Sequence, residues 1–330
     1  MKLLARVFAL IVALSPFTTA AQDNGKKLKL LYLTESQGFR HGAVKRKSAD
    51  DLAPSEVAVV ELGKESGQFD AECTQDIKTI TAEKLKNVDV LMFYTTGDKL
   101  VGAETWAAID GWLKSGKAFV GVHSATDTMK GFKPYYEFIN GSFDGHPWNA
   151  GETVTITNHE PSHPANKGLG EEFQIKDEIY QYRNYDPKAV RVLYSLNMAK
   201  CKTKHPYHVP VAWVREHGQG RLFYTNLGHN EGTWTNPMFK QHLLAGIRWA
   251  AGLETGPAAP NPELTYREQA KAFCVVAGGE KGDALAAKAE KLPAATLEKL
   301  YEKIDQHRRV GKDADRKAAL RDEILKAIEN

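Results

Sequence analysis

Two histidines directly follow short apolar runs of the kind that forms buried strands. The run Lys117–Val122 ends at His123, and the run Arg221–Leu227 is followed by Gly228 and His229. In open α/β sheets, ligands bind outside the carboxyl ends of the strands. Because neutral imidazole can bind a metal ion or move a proton, both histidines are candidate site residues.

Three further residues should lie at the same edge. His41 follows the first apolar run, Asp98 follows the third, and Asp127 lies four residues beyond His123. A strand order of 2-1-3-4-5 brings the ends of strands one, three and four together, and His229 joins them if its strand is also parallel. Imidazole and carboxylate form a ligand set for zinc or a similar divalent ion, although the same groups can act as an acid–base pair without metal. No tight ligand motif is present, so the predicted metal site depends on this convergence.

Strands that alternate with helices should position these residues. Strands are expected over Leu28–Thr34, Val57–Leu62, Asn87–Tyr94 and Lys117–His123, with helices ending before Pro54 and over Ala103–Lys114. Later strands are expected over Val154–Thr157, Val190–Leu196, Val209–Val214 and Gly220–Leu227, followed by a helix over Phe239–Ala250. This alternation predicts an α/β fold with a doubly wound, mostly parallel sheet of the flavodoxin-like kind.

The composition divides the chain into four parts. Residues 1–21 have the basic start, short apolar run and small residues of a signal peptide, which predicts a secreted or periplasmic protein. Residues 28–252 should form the α/β domain, 253–263 a Pro-rich linker and 264–330 a small helical appendage.

The charge balance excludes two classes of partner. Without residues 1–21, the chain has 42 basic and 41 acidic residues. It therefore lacks the electrostatic footprint of a protein that binds nucleic acid or an anionic membrane. A small molecule is the expected partner, and the partner of the C-terminal helices, if any, is left open.

The middle of the chain holds further candidate groups. His159 and His163 lie in a Pro-rich loop, and Glu178 lies in the segment Asp177-Glu-Ile-Tyr180. Each of them has a structural alternative, in a turn or on a solvated face. Ser124 follows a strand as an elbow nucleophile would, but the pattern G-x-S-x-G is not met and the elbow position belongs to His123.

Within residues 28–252 the chain contains an ordered set of motifs: Gly38–His41, Phe119–Asp127, Gly141–Pro147, Ser162–Pro164, Asp177–Tyr180, Pro210–Trp213 and Gly218–His229. This set resembles the ThuA-like (trehalose-utilisation) family, a branch of the class I glutamine-amidotransferase-like fold. In the amidotransferases of this fold a cysteine occupies the elbow, and His123 stands there in this chain. The resemblance therefore implies no glutaminase activity, although His229-Asn-Glu231 keeps the His-x-Glu spacing of those enzymes.

The resemblance implies carbohydrate metabolism, as a lyase or hydrolase acting on oxidised (3-keto) glycosides. A 3-keto group acidifies the neighbouring C–H, so we expect proton abstraction and elimination. His41, His123 and His229, with Asp98 or Asp127, would hold a divalent metal, and His159, His163 or Glu178 would move the proton. Two alternatives are a non-catalytic carbohydrate-binding or scaffold protein and a hydrolase that uses Ser124.

Overall fold

The computed structural model describes residues 27–330. The predicted signal peptide, residues 1–21, therefore lies outside the described residues. Within residues 27–330, none of the helices combines the length and the apolar character that crossing a bilayer requires.

One large sheet forms the centre of the molecule. Eleven strands are present in the described chain: β1 Leu28–Leu33, β2 Phe69–Thr74, β3 Val90–Phe93, β4 Ala118–Val122, β5 Ser142–Phe143, β6 Thr153–Asn158, β7 Glu172–Lys176, β8 Tyr182–Arg183, β9 Arg191–Leu196, β10 Pro210–His217 and β11 Gly220–Thr225. Nine of them form one sheet in the order β2-β1-β3-β4-β11-β10-β9-β6-β7, and β5 and β8 pair separately.

The first half of this sheet is parallel. Strands β2, β1, β3, β4 and β11 run in the same direction, in the expected order 2-1-3-4-5. From β11 onward, the strands β10, β9, β6 and β7 extend the sheet by antiparallel pairing. The predicted doubly wound α/β fold is confirmed, and its parallel half places the ends of β1, β3, β4 and β11 side by side.

Helices cover both faces of the sheet. They are α1 Pro54–Ser66, α2 Ala82–Leu85, α3 Ala103–Lys114, α4 Lys133–Ile139, α5 Pro237–Ala250, α6 Pro262–Ala277, α7 Gly282–Ala289, α8 Ala294–Arg309 and α9 Ala314–Glu329. Apolar residues of α1 and α5 pack on one face of the sheet, and those of α3 and α4 pack on the other. Burial of these two apolar layers is the main contribution to the stability of the fold.

The expected strand over Val57–Leu62 is wrong, as is the expected helix ending before Pro54. Both predictions fail because a helix, α1, begins at Pro54, and the side chain of Glu56 accepts a hydrogen bond from the Ala53 amide at 2.8 Å. The β-branched valines favoured a strand, yet the buried residues Ser55, Ala58, Val59 and Leu62 recur at helical spacing. The second strand is instead Phe69–Thr74.

The C-terminal helices have an apolar core of their own. Residues of α6, α7, α8 and α9, such as Phe273, Leu300 and Ile324, pack together with Tyr207 of the sheet domain. Asn261, just before α6, makes hydrogen bonds to both backbone groups of Val192 on β9. The appendage is therefore a small helical layer that is attached to the antiparallel half of the sheet.

Candidate metal centre

Three histidines and one glutamate meet at the carboxyl ends of the parallel strands. One possible ligand atom from each of His41, His123, Glu178 and His229 lies within 4.8 Å of the others. The ring centroids of the histidine pairs are 5.0, 5.1 and 5.2 Å apart. Three nitrogen donors and one carboxylate form a set that suits zinc or a similar borderline divalent ion.

His123 occupies the elbow at the end of β4. Its φ angle of +45° places it in the left-handed region, which residues other than glycine adopt at a cost. Such strain persists where the surrounding structure enforces it, and it is concentrated at functional sites. The turn delivers the His123 side chain into the protein, where the residue is fully buried.

A backbone hydrogen bond sets the orientation of the His123 ring. Nδ1 lies 2.7 Å from the carbonyl oxygen of Asn226, and because a carbonyl only accepts, Nδ1 must carry the proton. In the neutral ring, Nε2 then presents its lone pair. That nitrogen lies 3.2 Å from Nδ1 of His229 and 3.7 Å from Oε1 of Glu178. A backbone acceptor on the far nitrogen of a ligating histidine is a common feature of metal sites.

Glu178 belongs to an irregular segment that is fastened to the end of β11. The buried Asp177 carboxylate accepts hydrogen bonds from the amides of Gly228 at 2.7 Å and Asn230 at 2.9 Å. These two amides flank His229, so Asp177 positions both the Glu178 segment and the His229 loop. Burial raises the pKa of Asp177, although the charge of His123 and the two amides act in the opposite direction.

His41 completes the cluster from the loop after β1. Its Nε2 lies 3.1 Å from the hydroxyl of Tyr180, while its buried Nδ1 has no hydrogen-bond partner among residues 27–330. Burial, together with the charges of His123 and His229, lowers the pKa of His41 to about 2. The ring is therefore neutral at physiological pH, the form in which histidine binds metals.

Glu178 supplies the negative charge of the centre. Burial alone would raise its pKa, but hydrogen bonds and charge from His123 and His229 outweigh burial and lower it. Its Oε1 lies 3.0 Å from Nδ1 of His229. An ionised carboxylate beside three imidazole nitrogens is electrostatically suited to a cation.

One side of the cluster is open to solvent. The side chains of His229 and Glu178 are 19% and 9% exposed, and Nδ1 of the half-exposed His146 lies 3.3 Å from Oε2 of Glu178. Phe39, 66% exposed, lies with its ring centroid 4.9 Å from that of His41. A small molecule would approach the centre between these groups.

Asp98 and Asp127 lie outside the ligand group. The Asp98 carboxylate accepts a hydrogen bond from the backbone amide of Lys130 at 3.1 Å, and Asp127 pairs with the Lys130 ammonium at 2.5 Å. Both carboxylates are thus engaged with Lys130. The carboxylate predicted for Asp98 or Asp127 is supplied by Glu178.

His159 and His163 are likewise not brought to the centre. His159 lines a cavity of about 700 Å³ between β6, β9 and the C-terminal helices. His163 donates from Nε2 to the carbonyl of Pro257 at 2.9 Å, and its Nδ1 accepts from the Ala165 amide at 3.1 Å. Both ring nitrogens of His163 are therefore used in a turn, and the structure gives neither residue access to the cluster.

Ser124 lacks the surroundings of a nucleophile. The residue is fully buried, and its Oγ has no hydrogen-bond partner in the described part of the chain. An activated serine requires a base within hydrogen-bond distance. The arrangement therefore does not favour the hydrolase alternative.

Sequence reasoning missed several residues of the site. His146 was not among the predicted catalytic residues, although it lies in the motif Gly141–Pro147. Asp177 and Tyr180 lie in the motif Asp177–Tyr180, from which only Glu178 was predicted to act in the site. Asn226 lies within the motif Gly218–His229, directly after β11, but nothing in the sequence distinguished its side chain from those of its neighbours.

The chain is similar to known proteins both in its sequence family and in its fold. A family model described as ThuA, trehalose utilisation, matches residues 29–250. A ThuA-like protein from Parabacteroides merdae ATCC 43184 is similar in structure, with 17% identity, a TM-score of 0.56, and 72% of this chain and 98% of that chain covered. One from Bacteroides uniformis ATCC 8492 has 20% identity, a TM-score of 0.55, and 72% and 100% covered. At these identities the structural likeness shows the fold. No protein of curated function matches the chain.

Proposed function

The chain belongs to the ThuA (trehalose-utilisation) family, as its motifs predicted, and on this premise we propose that it is a metal-assisted enzyme that cleaves 3-keto glycosides. The observation that carries the proposal is the meeting of His41, His123, Glu178 and His229 within 4.8 Å, beside an opening bordered by His146. Family membership supports carbohydrate as the substrate class. We propose a keto group because a metal ion beside a ketone oxygen would stabilise the negative charge that develops there during elimination.

The donor set fits a divalent ion. It contains three imidazoles and an ionised carboxylate, and a buried nitrogen of His41 has no partner among the described residues. A buried polar atom without a hydrogen bond requires an explanation, and a bound ion provides one. A zinc-like ion held by these four residues would supply positive charge next to the ketone oxygen of the substrate.

The side chains at the opening account for the proton transfer. His146 accepts the proton from C2, which the C3 ketone acidifies, and Glu178 orients the His146 ring through its Oε2 at 3.3 Å. The C–H electron pair forms the C1=C2 double bond as the C1–O bond breaks, and the departing alkoxide takes up the proton that His146 removed, which restores the neutral base. The products are an unsaturated keto-sugar and an alcohol, so the reaction is an elimination without a redox change.

Export from the cytoplasm is part of the proposal. Its support is the composition of residues 1–21. The prediction is that the protein accumulates outside the cytoplasm with its N-terminus near Ala20 or Ala21. Cell fractionation and N-terminal sequencing test it, and an intact Met1 on cytoplasmic protein would contradict it.

The decisive experiment combines metal analysis with a turnover assay. Purified protein is assayed with a 3-keto glycoside and with the parent glycoside, before and after removal of metal by a chelator, and again after zinc is restored. The proposal expects turnover of the keto substrate only, loss of turnover on chelation and recovery with metal. Unchanged turnover in metal-free protein would contradict metal assistance.

A matched pair of variants tests the assigned residues. His146→Gln should reduce kcat while leaving bound zinc unchanged, and His163→Gln, which alters a histidine of the turn before Pro164, should retain activity if the fold is intact. Sugar binding without turnover in any preparation would favour the non-catalytic carbohydrate-binding alternative.

A further inference from the structure

A two-stranded ribbon lies beside the candidate metal centre and contributes Glu178 to it. Phe143 on β5 pairs with Tyr182 on β8. The amide of Asp144 donates to the carbonyl of Gln181 at 2.9 Å, and the amide of Gln181 donates to the carbonyl of Gly145 at 2.9 Å. Further along, Trp148 and Ile179 form an antiparallel bridge. We call residues 142–148 and 178–183 the site ribbon.

The site ribbon carries one candidate ligand and three residues that lie near it. His146 and Phe143 lie on one of its strands, and Glu178 and Tyr180 lie on the other. The ring centroid of Phe143 lies 4.4 Å from that of Tyr180. An isolated two-stranded ribbon is at best marginally stable in water, so this one requires support from its surroundings.

Arg308 provides part of that support from the C-terminal helices. Its Nη2 donates to the carbonyl of Tyr182 at 2.6 Å and to Oδ2 of Asp144 at 3.2 Å. One guanidinium therefore joins the two strands of the site ribbon, just two residues before His146. Its side chain is 33% exposed, so bulk water screens these bonds only in part.

Arg308 lies on a helix that is packed into the helical appendage. It lies in the last turn of α8, whose residues Leu300 and Ile304 are buried in the core of the helical appendage. The neighbouring His307 lies with Nδ1 3.0 Å from the hydroxyl of Tyr207. Because the helix is packed, the backbone of Arg308 is held in place relative to the site ribbon.

We infer that the C-terminal helices are a positioning element of the metal centre, and that Arg308 is the positioning residue through which they hold the site ribbon. These helices lie beyond residue 250, where the match to the family model ends. The inference rests on the proposed function only in the identity of the substrate, a 3-keto glycoside, that is used in the kinetic test. The contact between α8 and the ribbon is independent of that assignment.

Hydrogen–deuterium exchange of the full chain tests the positioning role directly. In Arg308→Ala, amide exchange should become faster by roughly tenfold in residues 142–148 and 178–183, in line with the loss of a hydrogen bond to a charged group. Exchange in β4 and β11 should not change. The control is Arg309→Ala, because Arg309 is 78% exposed and pairs with Asp305 of its own helix.

Kinetics supply the second readout. With a 3-keto glycoside, Arg308→Ala should lower kcat several-fold, because the proposed base His146 lies on the site ribbon, and should change bound zinc much less, because three of the four candidate ligands lie outside the ribbon. Arg308→Lys should recover part of the loss, because an ammonium can still donate to Tyr182 or Asp144. If Arg308→Ala folds poorly, Asp144→Ala, at a 41% exposed side chain, removes the ion pair from the other partner and should show a smaller change of the same kind.

The outcomes separate this inference from the proposed function. Faster exchange confined to the site ribbon supports positioning even if the wild type turns over no sugar, a result that would remove the proposed function alone. Unchanged ribbon exchange in both Arg308→Ala and Asp144→Ala would overturn the inference. So would an increase that is equally large throughout α8 and α9, since it would show a general loosening of the helices.

Discussion

The side chain of Asn226 makes two hydrogen bonds to the backbone of Tyr180, with Oδ1 accepting from its amide at 3.0 Å and Nδ2 donating to its carbonyl at 2.9 Å. The carbonyl of Asn226 also accepts from Nδ1 of His123. One residue at the end of β11 therefore fixes both the segment that carries Glu178 and the ring orientation of His123. Two of the four candidate ligands depend on it.

Asn226→Asp should weaken this arrangement. The substitution places a carboxylate oxygen opposite the Tyr180 carbonyl, so a donor is lost in a fully buried position. We expect the free energy of unfolding to fall by about 1–3 kcal/mol and zinc affinity to fall with it. Urea unfolding and zinc titration measure the two effects. Asn149→Asp, at an exposed turn where Oδ1 accepts from Gly151, is the control and should change neither.

Removing one ligand should abolish the stabilisation by metal. Zinc that binds the native state alone stabilises it by about 2.7 kcal/mol at a free concentration of 100 times Kd. We expect zinc to raise the Tm of the wild type and to have little effect on His229→Ala. His217→Ala is the matched control, because His217 is 17% exposed and pairs with Asp110 rather than with the centre. An equal rise in Tm for the wild type and His229→Ala would place zinc elsewhere.

Substitution of two helical glycines by alanine should change the free energy of unfolding in opposite directions. A Cβ at Gly246 in α5 would lie 2.3 Å from the ring of Phe223 on β11, whereas one at Gly111 in α3 would meet nothing within 4 Å. Gly246→Ala should therefore destabilise the protein by about 1–3 kcal/mol through overpacking. Gly111→Ala should stabilise it by about 0.5–1 kcal/mol, because alanine loses less backbone entropy in a helix. Thermal and urea unfolding of both variants give the comparison.

His242 should make stability depend on pH. Burial lowers the pKa of this α5 histidine from its ordinary value of 6.5 to about 3. Between these values the unfolded chain binds a proton that the native state does not, so stability decreases as pH falls below 6.5. At pH 5 the effect is about 2 kcal/mol.

The variant His242→Gln isolates that contribution. It should lower stability at pH 7, because the hydrogen bond between His242 and Thr225 is altered, but its loss between pH 7 and pH 5 should be about 2 kcal/mol smaller than in the wild type. Urea unfolding at both pH values measures the difference. The same loss in both proteins would show that the His242 ring is not held neutral by burial.

The elements of the parallel half were largely predictable from the sequence. The helix Ala103–Lys114 has the expected bounds, and the strands ending at Val122 and Thr225 lie within the expected runs. These elements have strong periodicity or continuous apolar runs, which are set by local sequence. The helix α1 was missed because its valines favour a strand, and tertiary packing of one helical face outweighed that preference.

The sequence by itself determined the fold class, the family and the strand ends at which His41, His123 and His229 would lie. The tertiary structure decided the fourth candidate ligand: Glu178 enters the cluster, whereas Asp98 and Asp127 are engaged with Lys130. The reason is that strand order follows from local patterns and general rules of topology. The path of an irregular segment such as Asp177–Tyr180 is instead set by long-range hydrogen bonds to Asn226, Gly228 and Asn230, which no local pattern encodes.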